Sequence, residues 1–247
     1  MKFFSSEFAH SYKNYSFGYC NYVERDVGDK LEDIYAQGYL PYSGTPYKKD
    51  IFYMARSARI DVRLFALNSE NRRIAKRFDE KFTRRVIPYS TFDFKDKDFL
   101  AFCLAYFSKR HGKGAMTKKR LEHILASELI THIVEYREGE EIRAYVFELQ
   151  EGGMAHFWFS FYDLALTNQS LGMWLMIDCV RKAQEKHKEY YYLGTVYAEK
   201  ALYKTNFDAL EYWNGAEWAR DIKKLKERSR SDKKRSVEIL DEWKESL

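Results

Sequence analysis

A chain of 247 residues, 45% of them hydrophobic, is long enough to bury a sizeable core, and its three cysteines, Cys20, Cys103 and Cys179, are too scattered for a disulfide framework or a zinc finger. The opening MKFFSSEFAH has no apolar signal region, and no apolar run approaches the ~20 residues of a membrane span, so the sequence predicts a cytoplasmic protein without a membrane partner. Lys plus Arg outnumber Asp plus Glu by only 42 to 37, a margin too small to name a partner.

In chain order, Leu31, Ile34 and Tyr35 sit at helical spacing within residues 27–37, with Gly38 as a C-terminal stop. Residues 41–46 hold Pro41 and Pro46 and read as a loop. Ile60, Val62 and Leu64 alternate with Asp61 and Arg63, the period of a strand. Asn68 or Ser69 then caps a basic helix over residues 69–82 that buries Ile74 and Phe78. Arg72, Arg73, Lys76, Arg77, Lys81, Arg84 and Arg85 crowd this region against Asp79 and Glu80, an excess suited to phosphates or to a solvated helix face. Pro88 closes the first region.

Phe99, Phe102, Cys103, Tyr106 and Phe107 form an apolar stripe, predicting an amphipathic helix over residues 96–112, and Thr117 caps the next helix. Three strands are predicted at 131–137, 141–149 and 154–162, followed by a long helix at 170–187. A β-rich run at 190–196, a short helix at 199–205 and a strand at 207–213 complete the order β-β-β-α-β-α-β. From residue 220 the chain is charged with sparse apolar positions at Ile222, Leu225, Val237, Leu240 and Trp243, the pattern of a surface helix or a partly ordered tail.

That order resembles the core of the GNAT acyltransferases, so the predicted class is α+β: a GNAT-like mixed sheet with flanking helices, preceded by a smaller N-terminal lobe. The expected division is 1–90 for the lobe, 91–218 for the transferase domain and 219–247 for a charged helical tail. Members that use acetyl-CoA hold its pyrophosphate on a Gln/Arg-x-x-Gly-x-Gly/Ala loop before the long helix. Here Gln169 and Gly172 match, but Trp174 replaces the small residue, and an indole there is expected to fill the space the pyrophosphate needs.

Several collinear blocks are similar to the arginyl- and leucyl-tRNA–protein transferases, which extend protein N-termini. They are Ser43-Gly44 with Tyr47, Arg59-Ile60-Asp61-Val62, Phe65, Ser69, Arg72-Arg73 and Lys76-Arg77. Further on come Arg110-His111 with Gly114 and Met116, Glu135-Tyr136-Arg137, Phe161-Tyr162-Asp163, Ser170-Leu171-Gly172, Tyr192-Leu193-Gly194, Tyr203-Lys204, Phe207 and Glu211. The resemblance implies transfer of Arg or Leu from an aminoacyl-tRNA to acceptors beginning with Asp or Glu, by a monomer. It departs where the family carries two N-terminal cysteine pairs for a metal or an iron–sulfur cluster, because only Cys20 remains. One thiolate does not make a four-ligand site, so no cofactor is expected. Leu40-Pro41-Tyr42 and Ala209 also replace family residues.

Aminolysis of an aminoacyl ester is downhill, and an α-amine of pKa ~8 is partly neutral near pH 7, so positioning and oxyanion stabilisation supply the rate rather than a triad. Tyr162, Asp163, Ser170, Tyr203 and Lys204 fall at element ends that would line the cleft and are the catalytic candidates, with Asp163 orienting the amine. Asp163 reads equally as a loop cap. Arg59, Glu135 and Tyr192 are the substrate-binding candidates, Arg59 for the acceptor carboxylate by a bidentate bond or else in a strand-end ion pair. Glu135, between apolar neighbours on a strand, is a pocket carboxylate or the partner of a nearby cation. Arg72, Arg73, Lys76 and Arg77 are assigned to tRNA. His111 reads better as a helix-end cap than as a catalyst. The competing readings are an N-acetyltransferase, a non-catalytic tRNA- or peptide-binding relative, and a peptidoglycan-type aminoacyl-tRNA transferase.

Overall fold

Strand β1 (Lys2–Ser11) folds back antiparallel on β2 (Ser16–Glu24), with Lys2 opposite Glu24. The computed structural model describes residues 1–11, 16–44, 50–112, 114 and 116–245, and their side chains except at 7–11, 16, 17, 111, 233 and 235–245. Helix α1 (Leu31–Ala36) is short, starts with Glu32 and Asp33 where the helix dipole favours acids, and buries Leu31, Ile34 and Tyr35. Gly38 ends it at φ +82°, and a Cβ there would lie 2.3 Å from the Trp213 indole, so only glycine fits. Strands β3 (Tyr39–Pro41) and β4 (Ile51–Met54) complete a four-stranded sheet of order β1-β2-β4-β3.

Next come β5 (Ser57–Asp61), buried along its whole length, and α2 (Ser69–Phe78). Asn68 caps α2 by accepting from the Asn71 amide at 2.9 Å, and Ile74 and Phe78 face inward. β6 (Thr83–Pro88), α3 (Lys97–His111) and α4 (Lys118–Leu125) follow, the two helices capped by Asp96 and Thr117. Three antiparallel strands, β7 (His132–Glu138), β8 (Glu141–Glu151) and β9 (Met154–Tyr162), lead through a 3-10 turn, Leu164–Gln169, into α5 (Leu171–Glu185). The chain then runs through β10 (Tyr190–Thr195), a 3-10 helix at Glu199–Asn206, β11 (Leu210–Trp213), β12 (Trp218–Ala219) and α6 (Ile222–Glu245).

Eight of these strands form one mixed sheet of order β12-β11-β5-β10-β9-β8-β7-β6. Its β9–β10 pair is parallel, which requires a crossover, and α5 supplies it. The class is therefore α+β, a large mixed sheet with flanking helices. β5 pairs with both β10 and β11, and β6 with β7, so residues 57–88 lie in the large sheet, on the N-terminal side of the expected boundary at residue 90. Tyr192, Leu149 and Met154 of that sheet share a core cluster with Val23, Tyr35, Leu40 and Phe52 of the N-terminal elements. The strand read at residues 60–64 lies earlier, at Ser57–Asp61, because the chain turns after Asp61, whose carboxylate accepts from the Arg63 amide. Residues 222–245 are helical, but the side chains of Val237, Leu240 and Trp243 lie outside the described residues.

Candidate active site

The parallel pairing of β9 and β10 is brief. It joins Tyr190 to Met154, Tyr191 to Ala155 and Tyr192 to His156, and there it stops. β9 continues to Tyr162 beside β8 alone, while β10 bulges on its β5 side between Tyr192 and Gly194. Gly194 takes φ +80°, a left-handed conformation that L side chains rarely adopt. Past His156 and Tyr192 the two strands part, and polar side chains meet at the fork.

His156 is 2% exposed, and its Nδ1 lies 2.8 Å from the hydroxyl of Tyr35 on α1. Its Nε2 is buried and has no hydrogen-bond partner among the described residues, a situation that usually costs on the order of 1–3 kcal/mol and calls for a reason. Burial, assisted by the charge of Lys204, lowers the imidazole pKa to about 3, so the ring is neutral. Lys204 reaches in from the 3-10 helix after β10 and donates from Nζ to the Thr195 carbonyl at 2.8 Å. Burial lowers its pKa from 10.5 to about 8. A Cβ on Gly194 would stand 3.7 Å from Lys204 Nζ and 3.8 Å from His156 Nε2, with no third group of the described residues within 4 Å apart from its chain neighbours. The missing side chain thus leaves room for one small atom between the two nitrogens. Ser57 on β5, opposite Thr195, also buries a hydroxyl that has no partner among the described residues.

Of the expected site residues, Lys204 and Tyr192 lie at this fork, and Tyr203 beside Lys204 is 40% exposed and near Tyr162 and Arg110. Tyr162 ends β9, its hydroxyl so close to Gly172 that a Cβ there would come within 2.8 Å. Ser170 enters α5 at φ +70° without a side-chain cap. The other expected residues lie in paired surroundings. Asp163 accepts from the Ala165 amide at 2.9 Å and pairs with Arg143 at 2.9 Å, the contacts of the loop cap that the sequence also allowed. Arg59 is buried between the rings of Tyr190 and Trp218, at 3.6 and 4.1 Å, and bonds Glu211 at 2.8 Å, which leaves it no open face for an acceptor carboxylate. Glu135 bonds Arg137 at 2.7 Å on β7, three strands from β10.

The indole of Trp174 is likewise not where the loop reading put it. It is buried against Phe78, Phe82 and Tyr136 and donates to Asp79 at 2.8 Å, packing α5 onto the end of α2. On α2, Arg72 bonds the Leu67 carbonyl, Arg73 pairs with Glu70 at 2.6 Å, and Lys76 is exposed. Arg77 donates to the Gln169 carbonyl at 2.8 Å, tying the basic helix to the turn before α5. The side chains of Tyr47 and His111 lie outside the described residues.

A cavity of about 320 Å³ lies away from the fork, lined by Asp79, Arg84, Trp174, Asp178 and Arg181 among others. Its charges pair with one another, Arg181 with Asp79 at 2.7 Å and Arg84 with Asp178 at 3.1 Å, so volume alone does not make it the site. Cys20, Cys103 and Cys179 sit on β2, α3 and α5, a donor set that does not fit the family's metal or cluster.

The mixed sheet thus gathers His156, Lys204 and Ser57, all buried, where β9 and β10 part. Residues 99–214, which carry His156, Gly194 and Lys204, match the family model described as arginine-tRNA-protein transferase, C terminus. Through this segment, just under half of its length, the chain is similar to the aminoacyl-tRNA–protein transferases. Similar curated proteins are named aspartate/glutamate leucyltransferase. That of Dinoroseobacter shibae is 28% identical over 180 residues, covering 66% of this chain and 61% of the relative. That of Hyphomonas neptunium is 26% identical over 174 residues (66% and 67%), and that of Thiobacillus denitrificans 29% over 168 residues (65% and 67%). The chain thus spans about three fifths to two thirds of their length. Among solved structures, the L-PGS of Bacillus licheniformis aligns at 14% identity and TM-score 0.46 (75% of this chain, 63% of that one). FemX aligns at 9% and 0.41 (67% and 59%).

Proposed function

We propose that this protein transfers an amino acid from an aminoacyl-tRNA to the α-amine of an acceptor protein beginning with Asp or Glu, using a GNAT-like fork between β9 and β10 as the reacting site. Leucine is the favoured amino acid, because the relatives are named for it. One observation carries the reading: inside the family segment, Lys204 holds a buried ammonium at a strand fork where Gly194 leaves room for a single atom.

The acceptor nitrogen attacks the ester carbonyl carbon, and the carbonyl electron pair moves onto oxygen. The Lys204 ammonium, largely charged at pH 7 with its pKa at about 8, stabilises that oxyanion in a site that excludes water. On collapse the ribose 3′ oxygen leaves with the bond pair and takes up the proton that the attacking nitrogen releases. Tyr162 and Tyr203 border the fork, and Arg72, Arg73, Lys76 and Arg77 hold tRNA phosphates beside the α5 turn. The proposed protein acts as a cytoplasmic monomer without a resident metal. Incubation with labelled leucyl- or arginyl-tRNA and peptides beginning Asp, Glu or Ala is expected to label the acidic peptides. Acetyl transfer from acetyl-CoA instead replaces this reading with the acetyltransferase one, and tRNA binding without transfer leaves a non-catalytic relative.

A further inference from the structure

We propose that His156 is a second catalytic residue, whose Nε2–H donates a hydrogen bond to the ester carbonyl oxygen as that oxygen becomes an oxyanion beside Lys204; this rests on the fork being the reacting site. Three features point to it. Nε2 is buried and unpartnered among the described residues, and Gly194 leaves a gap bounded by Nε2 and Lys204 Nζ. The Tyr35 hydroxyl is fully buried, and its hydrogen bond among the described residues is the one to Nδ1, so donating to Nδ1 places its proton. The ring then carries its own proton on Nε2, aimed into the fork. Burial keeps the imidazole neutral, which suits a donor that neither gains nor loses a proton while the C–N bond forms and the C–O bond breaks. If His156 only filled space, nothing would require an orphaned polar atom at the point where two strands part.

Histidine-selective ¹⁵N spectroscopy of the full chain at pH 7 is the first test, independent of activity. A protonated Nε2 and a bare Nδ1 are expected, and the opposite tautomer overturns the proposal. The second compares His156→Leu, which fills the space without a donor, with His156→Gln, which retains an N–H. Single-turnover leucyl transfer to an Asp-initiated peptide should fall by about 10²-fold in the leucine variant and recover by about tenfold or more in the glutamine variant. KM for the aminoacyl-tRNA should stay within about threefold of the parent value. Equal loss in both variants, or a raised KM with unchanged kcat, assigns His156 to packing and overturns the proposal. If His156→Leu does not fold, Tyr35→Phe keeps the ring and removes the tautomer lock. A mixed tautomer and a partial loss of kcat support the role, and unchanged kcat removes it. A parent protein that moves no amino acid from either tRNA defeats the functional reading itself, whereas an active parent with a fully active His156→Leu defeats only this inference.

Discussion

With its pKa held at about 8 against an ordinary 10.5, the Lys204 ammonium is charged at neutral pH despite its surroundings, which is worth about 3 kcal/mol of destabilisation. The folded value lies below the unfolded one, so the penalty is complete below about pH 8 and is relieved as pH rises toward 10.5. Lys204→Met should therefore be more stable than the parent at pH 7, by about 1–2 kcal/mol once the missing bond to Thr195 is allowed for, with the gap closing by pH 10. Transfer should meanwhile fall by about 10²-fold or more. Denaturant titrations at the two pH values check the first part, and a pH-independent gap would refute it. Arg59 predicts the opposite balance, since Arg59→Gln leaves the buried Glu211 with Arg220, 2.8 Å away, as its one remaining cation among the described residues. A loss of about 2 kcal/mol in unfolding free energy is expected. Lys204 could be named as a candidate from the sequence because Tyr203-Lys204 belongs to a block with family likeness. His156 was not, since one histidine among Met154, Ala155, Phe157 and Trp158 reads as strand core, and only the orphaned Nε2 distinguishes it.

At the scale of elements, the periodic segments were readable because tertiary contacts agree with local pattern. α2, α3, α5 and β7 to β9 fall within a few residues of their expected bounds, and Asn68 and Thr117 cap as read. β1 and β2 were not seen, because Phe3 and Phe4 are adjacent and break the period-2 alternation. The pattern of α2 is also what makes its cations testable. Replacing Arg72, Arg73 and Lys76 by Gln should leave thermal stability nearly unchanged, since these side chains are exposed. tRNA affinity should fall, and the salt slope should flatten by roughly one unit for each phosphate that no longer meets a cation. Adding Arg77→Gln should also loosen the turn before α5, because its guanidinium holds the Gln169 carbonyl. Filter binding across salt concentrations, with a melting curve on each variant, separates the effects; an unchanged slope would remove α2 from the interface.

At the scale of the whole molecule, α6 reaches back across the chain. Asp232 pairs with the buried Arg56 just before β5 and accepts from the Ala198 amide at 2.7 Å, at the start of the 3-10 helix that carries Lys204. Asp232→Ala should lower stability by about 2 kcal/mol and reduce kcat more than KM, which stopped-flow transfer on the folded variant would check. Composition could not place the domain boundary, because the pairing that crosses it joins segments far apart in sequence. A fragment spanning residues 91–218 should not fold cooperatively, since removing β5 leaves β10 and β11 without the strand between them. A sharp melting transition for that fragment would contradict this. The same interleaving sets a timetable on the ribosome. β5, with Ala58 and Ile60 destined for full burial, is made long before β10 and β11 exist. At ordinary elongation speeds, roughly ten seconds pass before its partners emerge. During that interval the strand waits with both edges open, and its unpaired backbone donors and acceptors, with Ile60 uncovered beside them, leave the nascent chain exposed to mispairing with another strand edge.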